Sequence, residues 1–146
     1  MGIRVTELTF LDQFASRYGI PVPRHIEGSA KRSELKKVLS EWGGKALVKP
    51  DVLTGKRAKA GSIVQVDNVP DAVRQAKRIA GSEINGNMPR TSYLVEIIPA
   101  AFEMFSAITY NSSFLKPSFT LSLKGGVDIE EAAEADKITI PVDIFR

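Results

Sequence analysis

The chain has 146 residues, a length that suits one domain, and its 43% hydrophobic and 25% charged residues are an ordinary globular composition. The absence of cysteine excludes disulfides, thiolate metal sites and a cysteine nucleophile, and a single histidine cannot build a histidine-rich metal site. The charge is uneven, because residues 1–90 carry 16 Lys and Arg against 9 Asp and Glu, whereas residues 91–146 carry 4 against 8. No signal-peptide pattern or membrane-length apolar run is present, so we expect a cytoplasmic protein or a piece of a larger one.

Helices and strands follow one another along the chain. Helical spacing of apolar residues predicts a helix over 6–18, with Thr6 as its N-cap and Gly19 at its end. After an extended segment over 20–26, we predict helices over 29–41 and 71–80 and strands over 45–50, 63–67 and 92–98. Strands over 103–110 and 117–123 form a predicted hairpin, followed by an acidic helical turn over 128–135 and an extended segment over 137–144. This order predicts an α/β or α+β fold, a mixed sheet with flanking helices.

The segment 48–61 has the composition of an anion-binding loop. A strand delivers Lys49, and a glycine-containing loop follows with three cations, Lys56, Arg57 and Lys59. Because a second strand resumes after it, the loop is not a Walker A motif, which opens a helix. Backbone N–H groups and basic side chains can nevertheless close over a polyphosphate here. The alternative is a solvated basic hairpin loop.

Acidic residues mark the second half of the chain. Glu96 ends an apolar strand, where its carboxylate can accept hydrogen bonds from an adenine amino group or a ribose hydroxyl, or be an exposed strand-end acid, and Glu103 follows it. A double glycine at 125–126 precedes an acidic run, which fits a functional turn or a hairpin turn before a helix N-terminus.

These features occur together and in this order in one family. The sequence resembles the ATP-grasp subunit of the succinyl-CoA synthetase and ATP-citrate lyase superfamily. The resemblance covers nearly the whole chain and rests on an ordered set of segments: 14–23 (FASRYGIPVP), 46–49 (ALVK), the loop 55–61, 93–96 (YLVE), 125–130 (GGVDIE), 137–138 (KI) and 141–143 (PVD).

The resemblance implies an ATP-grasp-like fold of which this chain is the N-terminal part only. Residues 1–24 would be a helix and an extended segment, 25–98 a small nucleotide-binding lobe, and 99–146 the start of a second lobe. It also implies ATP-binding roles for seven residues: Lys49 at the phosphates, Gly55, Lys56, Arg57 and Ala58 in the phosphate loop, Glu96 beside the base and Glu103 at the ribose.

The implied activity is that of an ATP-dependent acid–CoA ligase. The segment 48–51 (VKPD) and the adjacent cations Lys56 and Arg57 are similar to ATP-citrate lyase, or citryl-CoA synthetase, which we favour over a succinyl-CoA synthetase beta-subunit fragment. Ala58 stands where the family usually has glycine. A non-catalytic nucleotide-binding or nucleic-acid-binding module is the alternative of another class.

The resemblance also implies what the chain lacks. ATP would act with Mg²⁺, whose ligands are expected outside this chain, and CoA would be a substrate of the full enzyme. The phosphorylated histidine would come from a partner subunit or from a C-terminal half, so we expect a hetero-oligomer, inactive without its partner. We expect no catalytic or metal-binding residue in this chain, and no membrane or nucleic-acid partner.

Overall fold

The chain divides into two compact units, Met1–Ile98 and Pro99–Arg146. The computed structural model describes residues 4–55, 57–113, 115–125 and 136–143. No helix in these ranges is both long and apolar enough to cross a membrane.

The first unit is a four-stranded antiparallel sheet with helices. Helix α1 begins at Glu7–Thr9 and continues as a π-helix, Phe10–Ala15, and is followed by β1 (His25–Glu27), α2 (Arg32–Glu41), β2 (Ala46–Asp51), β3 (Val64–Val66), α3 (Val69–Ala80) and β4 (Thr91–Glu96). The strand order is β1-β4-β2-β3. The central pair aligns Lys49 with Tyr93, and β1 aligns His25 with Val95.

Local sequence explains where the helices begin and end. Thr6 caps α1 by accepting a hydrogen bond from Thr9 N at 3.3 Å, as predicted, and Asn68 caps α3 by accepting from Asp71 N at 2.9 Å. Two glycines with positive φ, Gly43 and Gly44, end α2, and Gly44 N donates to the carbonyl of Leu39.

The sheet packs against helices on both faces. Alternate residues of the strands point to opposite sides, so Ala46, Val48 and Leu94 join α2 and α3 in the larger core cluster. On the other face, Tyr93 and Val95 pack against Leu8 and Leu11 of α1. Lys49 shares this second face, and α1 therefore lies on the side of the sheet that carries it.

The second unit contains a three-stranded antiparallel sheet, β5 (Phe105–Asn111), β6 (Lys116–Ser122) and β7 (Lys137–Pro141), in that order. The predicted hairpin is confirmed, since β5 and β6 pair in register from Phe105 opposite Ser122 to Asn111 opposite Lys116. The acidic helical turn predicted over 128–135 lies outside the described residues.

The predicted class, sheets with flanking helices, is confirmed, with differences of detail. The expected mixed sheet is instead two sheets in which every described strand pair is antiparallel. We predicted that Pro50 would close its strand, but β2 runs on to Asp51. Proline is tolerated there because β3 pairs with β2 only as far as Val48, so no ladder partner is needed on that side.

Candidate functional site

Strand β2 presents Lys49 on a rigid support. Val48 and Pro50, on either side of Lys49, are buried, and β4 pairs with β2 along the whole length of β2. The Lys49 side chain is 22% exposed, so its ammonium group is held close to the sheet yet reached by solvent.

The loop between β2 and β3 folds back and brings Arg57 to the same place. Its turn is fixed by a hydrogen bond from Gly61 N to the carbonyl of Ala58 and by Ser62, whose N and Oγ both donate to the carbonyl of Arg57. Gly61 has a φ of +65°, a conformation that glycine adopts without strain. The Arg57 guanidinium donates to the Pro50 carbonyl at 3.3 Å, which places it beside the residue that follows Lys49.

Glu7, in the first turn of α1, joins the two cations. Its Oε1 lies 3.0 Å from Lys49 Nζ, and its Oε2 lies 2.5 Å from Arg57 Nη2. One carboxylate therefore bridges a strand lysine and a loop arginine that are 42 and 50 residues away in the sequence. All three side chains are partly buried, where an ion pair is screened less by solvent than at the surface.

The surroundings of Glu7 and Tyr93 shift the pKa values of both side chains. Burial alone would raise the pKa of Glu7, but the charges and hydrogen bonds of Lys49 and then Arg57 outweigh it and hold the pKa below its usual value. Burial, and after it the negative charge of Glu7, raises the pKa of Tyr93, so this phenol stays protonated. The Tyr93 hydroxyl is buried and has no hydrogen-bond partner among the residues that the structure describes.

A buried carboxylate, Asp51, anchors α1 to the end of β2. It is fully buried and accepts from Thr6 Oγ1 at 3.0 Å and from Leu8 N at 3.2 Å. Arg90 Nε lies 3.4 Å from Asp51 Oδ2, the oxygen that also accepts from Thr6, so the buried charge is paired. Thr6 and Leu8 flank Glu7 in the chain, so Asp51 holds the side chain of the residue before Glu7 and the backbone of the residue after it.

This arrangement can bind an anion. Lys49 and Arg57 carry two positive charges against the single negative charge of Glu7. The described bonds use one of the three donors of Lys49 and two of the five of Arg57. Within the part of the chain that the structure describes, the remaining donors can still bind an oxyanion of the size and charge of a phosphate group.

The structure brings together two of the seven predicted site residues, Lys49 and Arg57. Ala58 is exposed in the turn that follows Arg57. Gly55 is also exposed, and a Cβ added there would meet no atom within 4 Å. Lys56 lies outside the described residues.

Glu96 lies at the other end of β4. It pairs with Ala46, three residues from Lys49 along β2. Arg24 donates to both of its carboxylate oxygens, at 2.8 and 2.6 Å, and these hydrogen bonds hold the pKa of Glu96 below its usual range. The carboxylate is thus ionised and already holds a guanidinium, with lone pairs remaining for a second donor.

Glu103 belongs to the second unit, where it is exposed before β5. Its carbonyl accepts from Gly125 N at 3.0 Å. A Cβ on Gly125 would stand 2.8 Å from the Glu103 carbonyl carbon, so only glycine allows this close approach. This close packing explains why residue 125 is a glycine.

Mg²⁺ is expected to act with ATP through ligands outside this chain, and the residues that the structure describes do not by themselves fit such an ion. No group of three or more His, Asp or Glu side chains in these ranges is placed to hold a metal. The two carboxylates nearest Lys49 are already engaged, Glu7 by two cations and Asp51 by Thr6, Leu8 and Arg90.

Sequence reasoning did not identify Glu7, Asp51 and Tyr93 as parts of this site. Glu7 reads in the sequence as an acid at a helix N-terminus, where it is favoured by the dipole alone. Its partners lie at least 42 residues away, and no local pattern signals such a pairing.

Comparisons with known proteins identify the family to which the chain is similar. The family model described as "ATP-grasp domain" matches residues 11–144. The chain is 36% identical over 121 residues to a protein of Archaeoglobus fulgidus named succinate–CoA ligase (ADP-forming) subunit beta 2, and the match covers 83% of this chain and 32% of that protein. The chain spans about a third of the length of the curated relatives it matches.

Solved structures share the fold. A protein from Pyrococcus horikoshii Ot3 superposes with a TM-score of 0.67 at 16% identity, covering 97% of this chain and 59% of that one. ATP citrate lyase from Methanothrix soehngenii, in complex with citrate and coenzyme A, superposes with a TM-score of 0.57 at 18% identity, covering 92% of this chain and 33% of that one. The predicted ATP-grasp fold class is confirmed.

Proposed function

The chain belongs to the ATP-grasp domain family, and from that premise we propose that its first unit, 1–98, binds the phosphates of a nucleoside triphosphate. The observation that carries the proposal is the convergence of Lys49 and Arg57 beside the loop that follows β2. In this role Lys49 acts as a fixed point charge and Arg57 as a forked donor. The loop residues Gly55, Lys56 and Ala58 would complete the phosphate contacts, and Glu96 and Glu103 would contact the base and the ribose.

Replacing Lys49 tests the phosphate site. We expect Lys49→Ala to weaken the binding of ATP about tenfold to a hundredfold, because a hydrogen bond to a charged group contributes roughly 1.5–3 kcal/mol. The measurement is titration of the ¹⁵N-labelled 146-residue chain with Mg-ATP by NMR, which registers weak binding. Lys45→Ala, which removes the same charge from an exposed position at the start of β2, is the control. Unchanged affinity in Lys49→Ala would refute the assignment.

The alternative function, nucleic-acid binding, predicts a different result in the same titration. If the basic first unit binds nucleic acid, an oligonucleotide should bind with strong salt dependence and ATP should not bind. The convergence of Lys49 and Arg57 on the partly buried Glu7 carboxylate favours a small anion over an extended phosphate backbone.

We further propose that the full protein is an ATP-dependent acid–CoA ligase that uses this chain as its nucleotide-binding part. In that reaction ATP phosphorylates a histidine in another region or chain and leaves as ADP. The phosphoryl group then passes to a carboxylate of the acid, and the CoA thiol attacks the resulting acyl phosphate and displaces inorganic phosphate. Lys49 and Arg57 would neutralise charge on the transferring phosphates. The support is the name of the 36% identical relative and the fold shared with ATP citrate lyase.

Two acids are candidates for activation. The similarity to a succinate–CoA ligase beta subunit favours succinate, whereas the segment 48–51 and the adjacent cations Lys56 and Arg57 favour citrate. The test is to coexpress the chain with the neighbouring genes and to measure ADP release from ATP in the presence of CoA and each acid in turn. Release that depends on one acid identifies the substrate, and the absence of release with every acid would contradict the ligase proposal.

A further inference from the structure

Glu7 belongs to none of the sequence-predicted roles, yet it contacts both cations of the proposed phosphate site. We propose that Glu7 is a positioning residue that holds Lys49 and Arg57 in the geometry that receives the nucleotide phosphates. This inference rests on the proposed function. It assigns to α1 a part in nucleotide binding that its sequence does not suggest.

The Glu7 carboxylate bridges two side chains, Lys49 and Arg57, whose backbone supports differ in rigidity. Lys49 stands on a strand paired with β4, whereas Arg57 stands in an exposed connection between β2 and β3. A long side chain loses rotamer entropy when it is fixed, so an arginine in a loop would otherwise have to be ordered by the ligand itself. Glu7 orders it beforehand, which lowers the cost of binding.

A carboxylate between two cations could instead act as a displaceable mimic of phosphate that blocks the site. Two observations favour positioning over blocking. The support of Glu7 is rigid, because Thr6 and Leu8 on either side of it are both hydrogen-bonded to the buried carboxylate of Asp51. In addition, the described bonds leave most N–H donors of Lys49 and Arg57 available, so the bridge and a phosphate can be held together.

The two roles predict opposite signs for one substitution. If Glu7 positions the cations, Glu7→Gln weakens binding, which we expect to be about tenfold, since small misplacements of binding groups are costly. If Glu7 blocks the site, the same change tightens binding, because a competing negative charge is gone. The probes are Mg-ATP and inorganic tripolyphosphate, titrated by NMR into the 146-residue chain. Glu83→Gln, which removes one negative charge from an exposed position, is the matched control.

A second readout needs no ligand. The Nε–Hε NMR signal of Arg57 should shift and broaden in Glu7→Gln and remain unchanged in Glu83→Gln. The weakening caused by Glu7→Gln should also largely disappear in a chain that already carries Lys49→Ala and Arg57→Ala, because Glu7 acts through those residues. If Glu7→Gln does not fold, Glu7→Asp, which keeps the charge and shortens the reach, should show the same weakening.

The outcomes separate the inference from the proposed function. Wild-type binding together with unchanged or tighter binding in Glu7→Gln overturns the inference and leaves the function standing. An unmoved Arg57 signal overturns it as well. Failure of the wild-type chain to bind either probe overturns the proposed function and the role of Glu7 in it.

Discussion

The carboxylate of Glu7 makes the ion pairs at this site dependent on pH. Its pKa in the folded chain lies below its ordinary value of 4.5. The stability that ionised Glu7 contributes is therefore fully present above the pKa of the unfolded state and is lost as pH falls through the lower pKa of the folded state.

We expect the free energy of unfolding of the wild-type chain to exceed that of Glu7→Gln at pH 7, and the difference to shrink below about pH 4.5. The measurement is urea unfolding of both chains at several pH values between 7 and 3. Because other carboxylates titrate in the same range, Glu83→Gln provides the background slope. A difference that stays constant down to pH 3 would show that the ion pairs do not contribute to stability.

At the scale of single residues, the sequence identified cations and missed their counter-ion. Lys49 and Arg57 are conspicuous because a strand and a basic loop are local patterns. Glu7 and Asp51 are single acids whose partners are brought to them only by the packing of α1 on the sheet. Such contacts depend on tertiary structure, and the local spacing of residues in the sequence does not predict them.

Strand β1 and helix α3 approach each other closely just beyond Glu27. Gly28 N donates to the Ser92 carbonyl at 2.8 Å, and Ser92 Oγ donates to the carbonyl of Ala76 in α3 at 2.8 Å. A Cβ on Gly28 would overlap Ser92 Oγ and stand 2.9 Å from Ala76 Cβ. The sheet and the helix therefore meet at a place that has no room for a side chain.

We expect Gly28→Ala to destabilise the chain by about 1–3 kcal/mol, the usual cost of forcing extra volume into a packed contact. Chemical denaturation followed by circular dichroism measures it. Gly55→Ala is the control, because a Cβ there meets no atom within 4 Å, and its effect should stay within about 0.5 kcal/mol. Equal stability of the two variants would mean that the contact at Gly28 relaxes without cost.

At the scale of elements, the sequence predicted the number and type of the main helices and strands better than their mutual arrangement. The periodicity of apolar residues and the glycines and prolines that end elements are local signals. They predicted the bounds of α2, α3 and β4 to within three residues of those observed. The hairpin of β5 and β6 was predicted because its strands are adjacent in sequence, but strand direction in the first sheet depends on which distant strands become neighbours, so its all-antiparallel pairing was not foreseen. The sequence also gives no signal for the change from α-helix to π-helix at Phe10.

At the scale of the whole molecule, the second unit carries a sheet face on which several apolar side chains are exposed. Ile108, Tyr110, Ile138 and Ile140 are 52–71% exposed, and the strand register places Ile108 and Ile140 on either side of Phe119. A depression of about 420 Å³ on this sheet is lined by Leu121, Leu123, Lys124, Asp136 and Ile138. Contiguous apolar surface of this kind promotes association.

We therefore expect the 146-residue chain to self-associate as its concentration rises, and Ile108→Lys with Ile138→Lys to reduce this association. Sedimentation velocity over a range of concentrations measures it. Thr109→Lys adds charge to the opposite face of β5 and serves as the control. A wild-type chain that stays monomeric at high concentration would contradict the expectation.

The strand order of the first unit also constrains how the chain acquires its structure during synthesis. Strand β4 is the last of its four strands to be translated, yet it lies between β1 and β2. While the ribosome works from the N-terminus, β2 and β3 can pair early, but β1 must wait about 70 residues for its neighbour. Helix α1, whose apolar residues pack on Tyr93 and Val95, is made before β1 and waits longer still. The nascent chain therefore carries Glu7, Lys49 and Arg57 before the strand on which α1 packs has been made.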